Sequence, residues 1–309
     1  MIRKFADKRP ILFSVTVVIV TAIVLLLATA LFSSAFGIDM GNLENTELDL
    51  PAMSALSLSK VVFSAVVILI LITLGMKSEI IPSRKGIGRG LLLGWFLILL
   101  AIFLFLVQTD FGRAASFDSS KSLLLIPLAV YTLLIGVSEE FLCRGILYNV
   151  IFNKYGNVHA AVLISSVIFG IVHLTNLIGG ASVGETLLQV LYASAFGVLI
   201  AAVYARCKNI WAVVLLHALF DFCGYAAVIL APAAAAEMDL VLADTIGVVM
   251  TVVVSVVSVC IGLFLIRKSW RAGSAVGSVP ADDATQLVEA DELPASESLP
   301  TMVTVTEEV

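Results

Sequence analysis

Charge is what this sequence has least of. Only 13% of its 309 residues are Asp, Glu, Lys or Arg, against 60% hydrophobic, and histidine occurs three times. A soluble domain needs far more polar surface to cover its core, so a water-soluble globular chain is excluded. Cysteine is scarce as well. Cys143, Cys207, Cys223 and Cys260 lie in or beside apolar runs with no C-x-x-C spacing. That suits small packing residues and argues against a disulfide framework or a cysteine zinc site. No basic run is interleaved with aromatics, so nucleic acid is not an expected partner.

Long apolar runs take up the rest. Mean hydropathy is +1.09, and several stretches exceed the ~18 residues that mark a membrane helix. The expected fold class is an all-α, polytopic membrane helical bundle of about eight transmembrane helices. The spans are read at 11–35, 61–76 (from 53 in a longer reading), 90–107, 122–152, 158–178, 185–205, 210–231 and 245–266. The first starts like a signal peptide, but its apolar core is longer than the ~7–15 residues of an h-region, which favours an uncleaved anchor.

Basic residues alternate in position. Arg3, Lys4, Lys8 and Arg9 precede the first span, and Lys77, Arg84, Lys85 and Arg89 follow the second. Lys154, then Arg206 and Lys208, then Arg267, Lys268 and Arg271 follow the fourth, sixth and eighth. The opposite loops hold mainly acids, with Lys60, Arg113 and Lys121 as their only positives. By the positive-inside rule both termini are cytoplasmic, in a multi-pass protein of a cell membrane such as a bacterial inner membrane. Residues 1–268 carry 17 Lys and Arg to 15 Asp and Glu, whereas 269–309 carry one Arg and eight acids among Ser, Pro and Ala. That segment is expected to be a disordered acidic tail. The division expected is 1–120 for three N-terminal spans, 121–231 for a four-span catalytic core, 232–268 for a last span, and the tail.

With residues at span ends set aside, such as His159 at the start of the fifth, six ionisable residues remain inside the spans: Glu139, Glu140 and Arg144 on the fourth, His173 on the fifth, and His217 and Asp221 on the seventh. Each charge at bilayer depth costs at least a few kcal/mol, so such groups pair or face water. A shared polar cavity is the economical expectation. Glu140 with Arg144, Phe169 with His173, and His217 with Asp221 are spaced i,i+4 and can share helix faces. At ~1.5 Å per residue, Glu139, His173 and His217 lie roughly 20, 22 and 11 Å from the cytoplasmic ends of their helices, which suits a site opening toward the cytoplasm. Adjacent Glu139 and Glu140 point about 100° apart around a helix, so one is expected at the reactive centre and the other in a structural pair. Glu with His can deprotonate water, and His with Asp can position a carbonyl. Hydrolysis of a peptide bond is the reaction implied. Gly136, Gly170 and Gly197 read as close-packing positions.

Three motifs carry these residues: E-E-x-x-x-R as EEFLCR (139–144), F-x-x-x-H as FGIVH (169–173) and H-x-x-x-N/D as HALFD (217–221). Their order resembles the CPBP family, which comprises type II CAAX prenyl endopeptidases and bacteriocin-processing or abortive-infection proteins. The resemblance covers about residues 120–230. It implies an intramembrane endopeptidase acting on a membrane-associated protein or peptide in the lipid bilayer. Glu139 would be the base, assisted by His173. Glu140 and Arg144 would hold the motif helix, while His217 and Asp221 would stabilise the oxyanion or orient the carbonyl. Asp221 stands where the prenyl-protein branch has Asn, and an ionised Asp cannot donate to an oxyanion. Two accounts of water activation stay open: Glu139 and His173 without a cofactor, or Glu139, His173 and His217 around a divalent metal such as Zn. No HExxH, GxSG or GxGD occurs. The alternative function is non-hydrolytic: an immunity or scaffold protein, or a proton-coupled transporter using the same cavity.

Overall fold

A computed structural model describes residues 1–39, 48–109, 119–230 and 240–273. The acidic tail beyond 273 and the loop residues Glu44, Glu47, Arg113, Glu237 and Asp239 lie outside them. The described chain is helical, with no strand among its described residues. Seven helices are long and apolar enough to cross a membrane, and a bent pair brings the number to as many as eight. Their outward faces carry side chains such as Leu27, Leu31, Leu92, Ile126 and Val256, all more than half exposed. An apolar belt of this extent belongs against lipid rather than water. The protein is a multi-pass membrane protein.

Local signals set where the helices begin and end. After a short α1 (Ile2–Lys8) and the first span, α2 (Pro10–Ala35), the second span is α3 (Leu50–Leu74). Asp49 starts α3 by accepting the Ala52 N–H at 2.8 Å, and Gly75 ends it in the left-handed region at φ 81°. This span therefore begins eleven residues before position 61, and Lys60, expected in a loop, sits inside it. A single turn, α4 (Lys77–Ile80), leads to the third span, which is broken. Its halves, α5 (Ile87–Leu93) and α6 (Trp95–Gln108), meet at 61°. Gly94 is the junction, and any Cβ there would run into the Leu216 side chain.

The fourth span runs through α7 (Ser119–Leu123) and α8 (Leu125–Glu140), then a π-helix (Phe141–Tyr148), then α9 (Asn149–Tyr155). The π-helix carries the FLCRGILY segment, all eight residues buried. Such wider turns occur mostly at functional sites. The fifth span, read as continuous helix to 178, is α-helical only over α10 (Val158–Val172) and continues as a 3₁₀ helix (His173–Gly179). α11 (Val183–Cys207) is the most buried span and forms the centre of the bundle. Ser182 opens it as a capping box with Glu185: the Glu185 N–H donates to Ser182 Oγ at 3.2 Å, and Ser182 Oγ donates to Glu185 Oε2 at 2.6 Å. α12 (Ile210–Leu230) and α13 (Leu240–Gly273) complete the chain.

Close approach explains the glycines. A Cβ on Gly136 would come within 2.7 Å of the Val214 carbonyl oxygen, and one on Gly170 would collide with Ser194. Helix α8 therefore packs backbone-close on α12, and α10 on α11.

At the end of the bundle that bears the basic loops, the loop between α4 and α5 is bolted to the turn between α11 and α12. Asn209 donates through Nδ2 to the Ser83 and Lys85 carbonyls, at 2.7 and 2.8 Å, and accepts the Ala212 N–H through Oδ1. Trp211 donates to the Ile80 carbonyl, and the Tyr204 hydroxyl donates to Glu79 at 2.8 Å. Burial pushes the Glu79 carboxyl above the ordinary carboxylate range and the Lys208 amine below its usual value, as a dry junction does. Asn209→Ala removes three bonds from a residue 4% exposed. We expect it to cost about 2–3 kcal/mol, read as a lowered melting temperature in detergent. An unchanged melting temperature would mean the bolt is not needed.

Candidate active site

Residues 139 and 140 end α8, so the π-helix begins immediately after the paired carboxylates. Glu140 and Arg144 are both fully buried. Arg144 donates through Nη1 to Glu140 Oε1 at 2.9 Å and through Nη2 to the Gly197 carbonyl on α11 at 2.8 Å. Its guanidinium also stands 5.3 Å from the centre of the Phe169 ring on α10. One side chain thus ties three helices together, as the EExxxR spacing predicts for a structural pair. Glu140 has a second partner. His217 Nδ1, from α12, lies 2.7 Å from the same Oε1. A carboxylate only accepts, so this nitrogen carries a hydrogen and Nε2 is left for the pocket.

Glu139 points the other way, as the offset around the helix requires. Its side chain is 21% exposed and lines a pocket of about 230 Å³ together with His173, His217 and Asp221. That volume holds several waters, at ~30 Å³ each. His217 Nε2 stands 3.8 Å from Glu139 Oε2 and 3.6 Å from Asp221 Oδ2. His173 begins the 3₁₀ helix, and its Nδ1 lies 2.9 Å from the Phe169 carbonyl. A carbonyl also only accepts, so His173 is fixed with Nδ1–H donating, and the lone pair of a neutral ring sits on Nε2. The rings of Phe169 and His173 meet edge-on at 5.0 Å, and Phe196 covers His217 at 5.0 Å. All six residues singled out from the sequence fall in this one region: Glu139, His173, His217 and Asp221 on the pocket, Glu140 and Arg144 buried behind it.

Lys60 was missed. Its Nζ donates to Glu139 Oε1 at 2.7 Å, and it lines the pocket from α3. The pocket is therefore built by α3 as well as by the four-span segment. The signal lay in DLP at 49–51: Asp as N-cap followed by Pro in the first turn starts the helix early enough to carry Lys60 almost three turns inward. Tyr131, Tyr192, Tyr225, Gln189 and Asn176 complete much of the polar lining and had no sequence signal of their own. The ring of His217 is oriented by Glu140.

The lining residues place the mouth of the pocket along the bundle. Tyr131, Asn176, Gln189 and Tyr225 lie near those ends of their helices that are remote from the basic loops. The pocket opens toward that end, because the other is closed by Tyr148, Tyr204 and the Asn209 bolt.

The residues do not fit a His₂Glu metal centre as they stand. An ammonium holds Glu139 Oε1, where it opposes a second cation, and no three His, Cys, Asp or Glu among the described residues form a ligand set. Of the set Glu139, His173 and His217, the glutamate is thus already held by Lys60.

Residues 121–223 match the family model described as type II CAAX prenyl endopeptidase Rce1-like. Comparison with curated proteins and with solved structures gave no significant match. The matched segment contains EEFLCR, FGIVH and HALFD, the same residues that the helices bring to the pocket. Through this segment, a third of the chain, the protein is similar to the type II CAAX prenyl endopeptidase Rce1-like family, a family of proteases.

Proposed function

We propose that the protein is an intramembrane endopeptidase that hydrolyses a peptide bond of a membrane-associated protein or peptide, with Glu139 as the base. The observation that carries this reading is the meeting of Glu139, His173, His217, Asp221 and Lys60 on one water-sized pocket inside membrane-length helices. Isolated charges at such depth would be costly, and a shared wet site is where they can persist.

In this mechanism Lys60 holds Oε1 of Glu139 and leaves Oε2 to take a proton from water, while His173 Nε2 orients that water. The hydroxide oxygen bonds to the scissile carbonyl carbon, and the carbonyl π pair becomes an oxyanion. His217, when it carries hydrogens on both ring nitrogens, donates through Nε2, and the other N–H groups of Lys60 lie on the pocket to receive it as well. Asp221 has acceptors only; it faces His217 Nε2 at 3.6 Å, while Glu140 holds the ring at Nδ1. The tetrahedral carbon then reforms its carbonyl, the C–N bond breaks, and the amine leaves with the proton held by Glu139. The products are a carboxylic acid and an amine, and one water is consumed. Lys60 supplies the donor that an Asn at position 221 would otherwise offer.

Purified protein in liposomes, given lipid-anchored quenched-fluorescence peptides, is expected to cleave one or more of them. His173→Ala should abolish cleavage while the melting temperature stays near wild type. Dialysis against EDTA should leave cleavage unchanged, because Lys60 provides the charge a metal would. Failure of the wild type to cut any peptide would overturn the proteolytic reading. Loss on EDTA treatment with recovery on added Zn²⁺ would overturn the role given to Lys60.

A further inference from the structure

The two directions out of the pocket are not equivalent. From Glu140 toward the basic loops, Tyr148, Leu147, Ala202, Val203, Ala212 and Val213 are each 0% exposed. Beyond them stand Tyr204, bonded to Glu79 and Asn149, and the Asn209 bolt. Among the described residues, this side presents buried, hydrogen-bonded packing between Glu139 and the basic loops.

In the opposite direction the lining becomes polar and exposed. Tyr192 is 39% and Tyr225 36% exposed, and Asn176 donates to Gln189 at 2.7 Å at the rim. Asn176 sits three residues before the end of the 3₁₀ helix, Gln189 in the second turn of α11, and Tyr225 five residues before the end of α12. Tyrosine, Asn and Gln at a mouth offer hydrogen bonds to the backbone of an extended polypeptide.

Charge then assigns the two faces. The closed end bears Arg3, Lys4, Lys77, Arg84, Lys154 and Arg206, while the described residues of the open end bear Asp39, Asp49 and Glu185 against Lys121. The positive-inside rule puts the closed end in the cytoplasm. We infer that the pocket takes its substrate from the extracytoplasmic side, as an extended polypeptide stretch next to a membrane anchor. This rests on the proteolytic reading for cleavage, but not for the direction of access. A lipidated C-terminus offered from the cytoplasm would meet the bolted end.

Access and cleavage are tested separately. In a chain whose four cysteines are replaced by serine, Asn176→Cys or Tyr192→Cys is introduced, with Lys154→Cys as the control for the closed face. Spheroplasts are treated with a membrane-impermeant maleimide before and after permeabilisation. Asn176→Cys and Tyr192→Cys are expected to label in intact spheroplasts as fully as after lysis, and Lys154→Cys only after lysis. The reverse pattern overturns the inference. Labelling at neither rim position, with the control labelled after lysis, overturns it too, because the mouth is then closed to water. The second arm uses the unmutated protein and single-span reporters bearing a liposome-cleaved peptide on one membrane side or the other. Cleavage of the extracytoplasmic reporter alone supports the inference, and cleavage of the cytoplasmic one overturns it. If labelling comes from outside and neither reporter is cut although the peptide is cleaved in liposomes, the pocket does not take a stretch beside a membrane anchor and that part of the inference is overturned. If no peptide is cleaved in liposomes either, the proteolytic reading fails while the direction of access stands.

Discussion

Glu139→Gln is expected to lower cleavage by about 10²–10⁴-fold, the range contributed by a positioned general base. The amide is nearly the same size, so it keeps the pocket's shape and still offers Lys60 an oxygen to bond. It cannot take a proton from water. That loss corresponds to about 3–5 kcal/mol of transition-state stabilisation, and it should fall on kcat with KM little changed, since no substrate contact is removed. Lys60→Met acts on the same bond from the other side. It leaves Glu139 without the cation that holds it at 2.7 Å, and removes a donor to the oxyanion, so kcat should fall as well. Combining the two should cost no more than Glu139→Gln alone, because without a base the donor has nothing to stabilise. Additive losses would show that Lys60 and Glu139 serve separate steps. Full activity in Lys60→Met would show that the pair is only structural. The measurement is steady-state cleavage of one quenched peptide by the four proteins in the same liposomes.

How much of this could be read in advance depends on how locally each feature is encoded. Glu139, Glu140, Arg144, His173, His217 and Asp221 stood out because each interrupts an apolar run, and lipid makes such interruptions costly. Their convergence then followed from pairing. Lys60 obeys the same physics and was lost at a boundary: a span read from 61 leaves it in a loop, whereas the Asp49 cap puts it inside α3. The π-helix at 141–148 has no such mark. Its sequence, FLCRGILY, is apolar around Arg144, and the extra residue per turn is set by packing against α3, α10 and α11. The break at Gly94 was only half legible, since glycine permits a bend but Leu216 on a distant helix supplies the reason for it. Which way the pocket opens is the least local property. It depends on Tyr204 meeting Glu79 and Asn209 meeting Ser83, contacts across more than a hundred residues.

Arg144 should be the residue whose loss destabilises the protein most. It is buried completely, bonded to Glu140 and to the Gly197 carbonyl, and packed over Phe169. Removing one partner of a buried ion pair strands the other charge, at about 3–5 kcal/mol. Arg144→Met keeps much of the volume, so a loss of that size would belong to the stranded Glu140 carboxylate rather than to a cavity. Arg144→Lys keeps the charge, but a point charge cannot reach Glu140 and the Gly197 carbonyl together as the planar fork does, and its loss should be intermediate. Glu140→Gln in the Arg144→Met background removes the stranded charge and should restore part of the stability. Cleavage should return only in part, because the amide oxygen still accepts from His217 Nδ1 but lacks the charge of the carboxylate that holds it at 2.7 Å. Denaturant titration in detergent, with cleavage measured on the same samples, separates the two effects. If Arg144→Met unfolds at the wild-type midpoint, the pair carries no stability. If the double variant regains full cleavage along with its fold, a neutral acceptor at position 140 orients His217 as well as the carboxylate does.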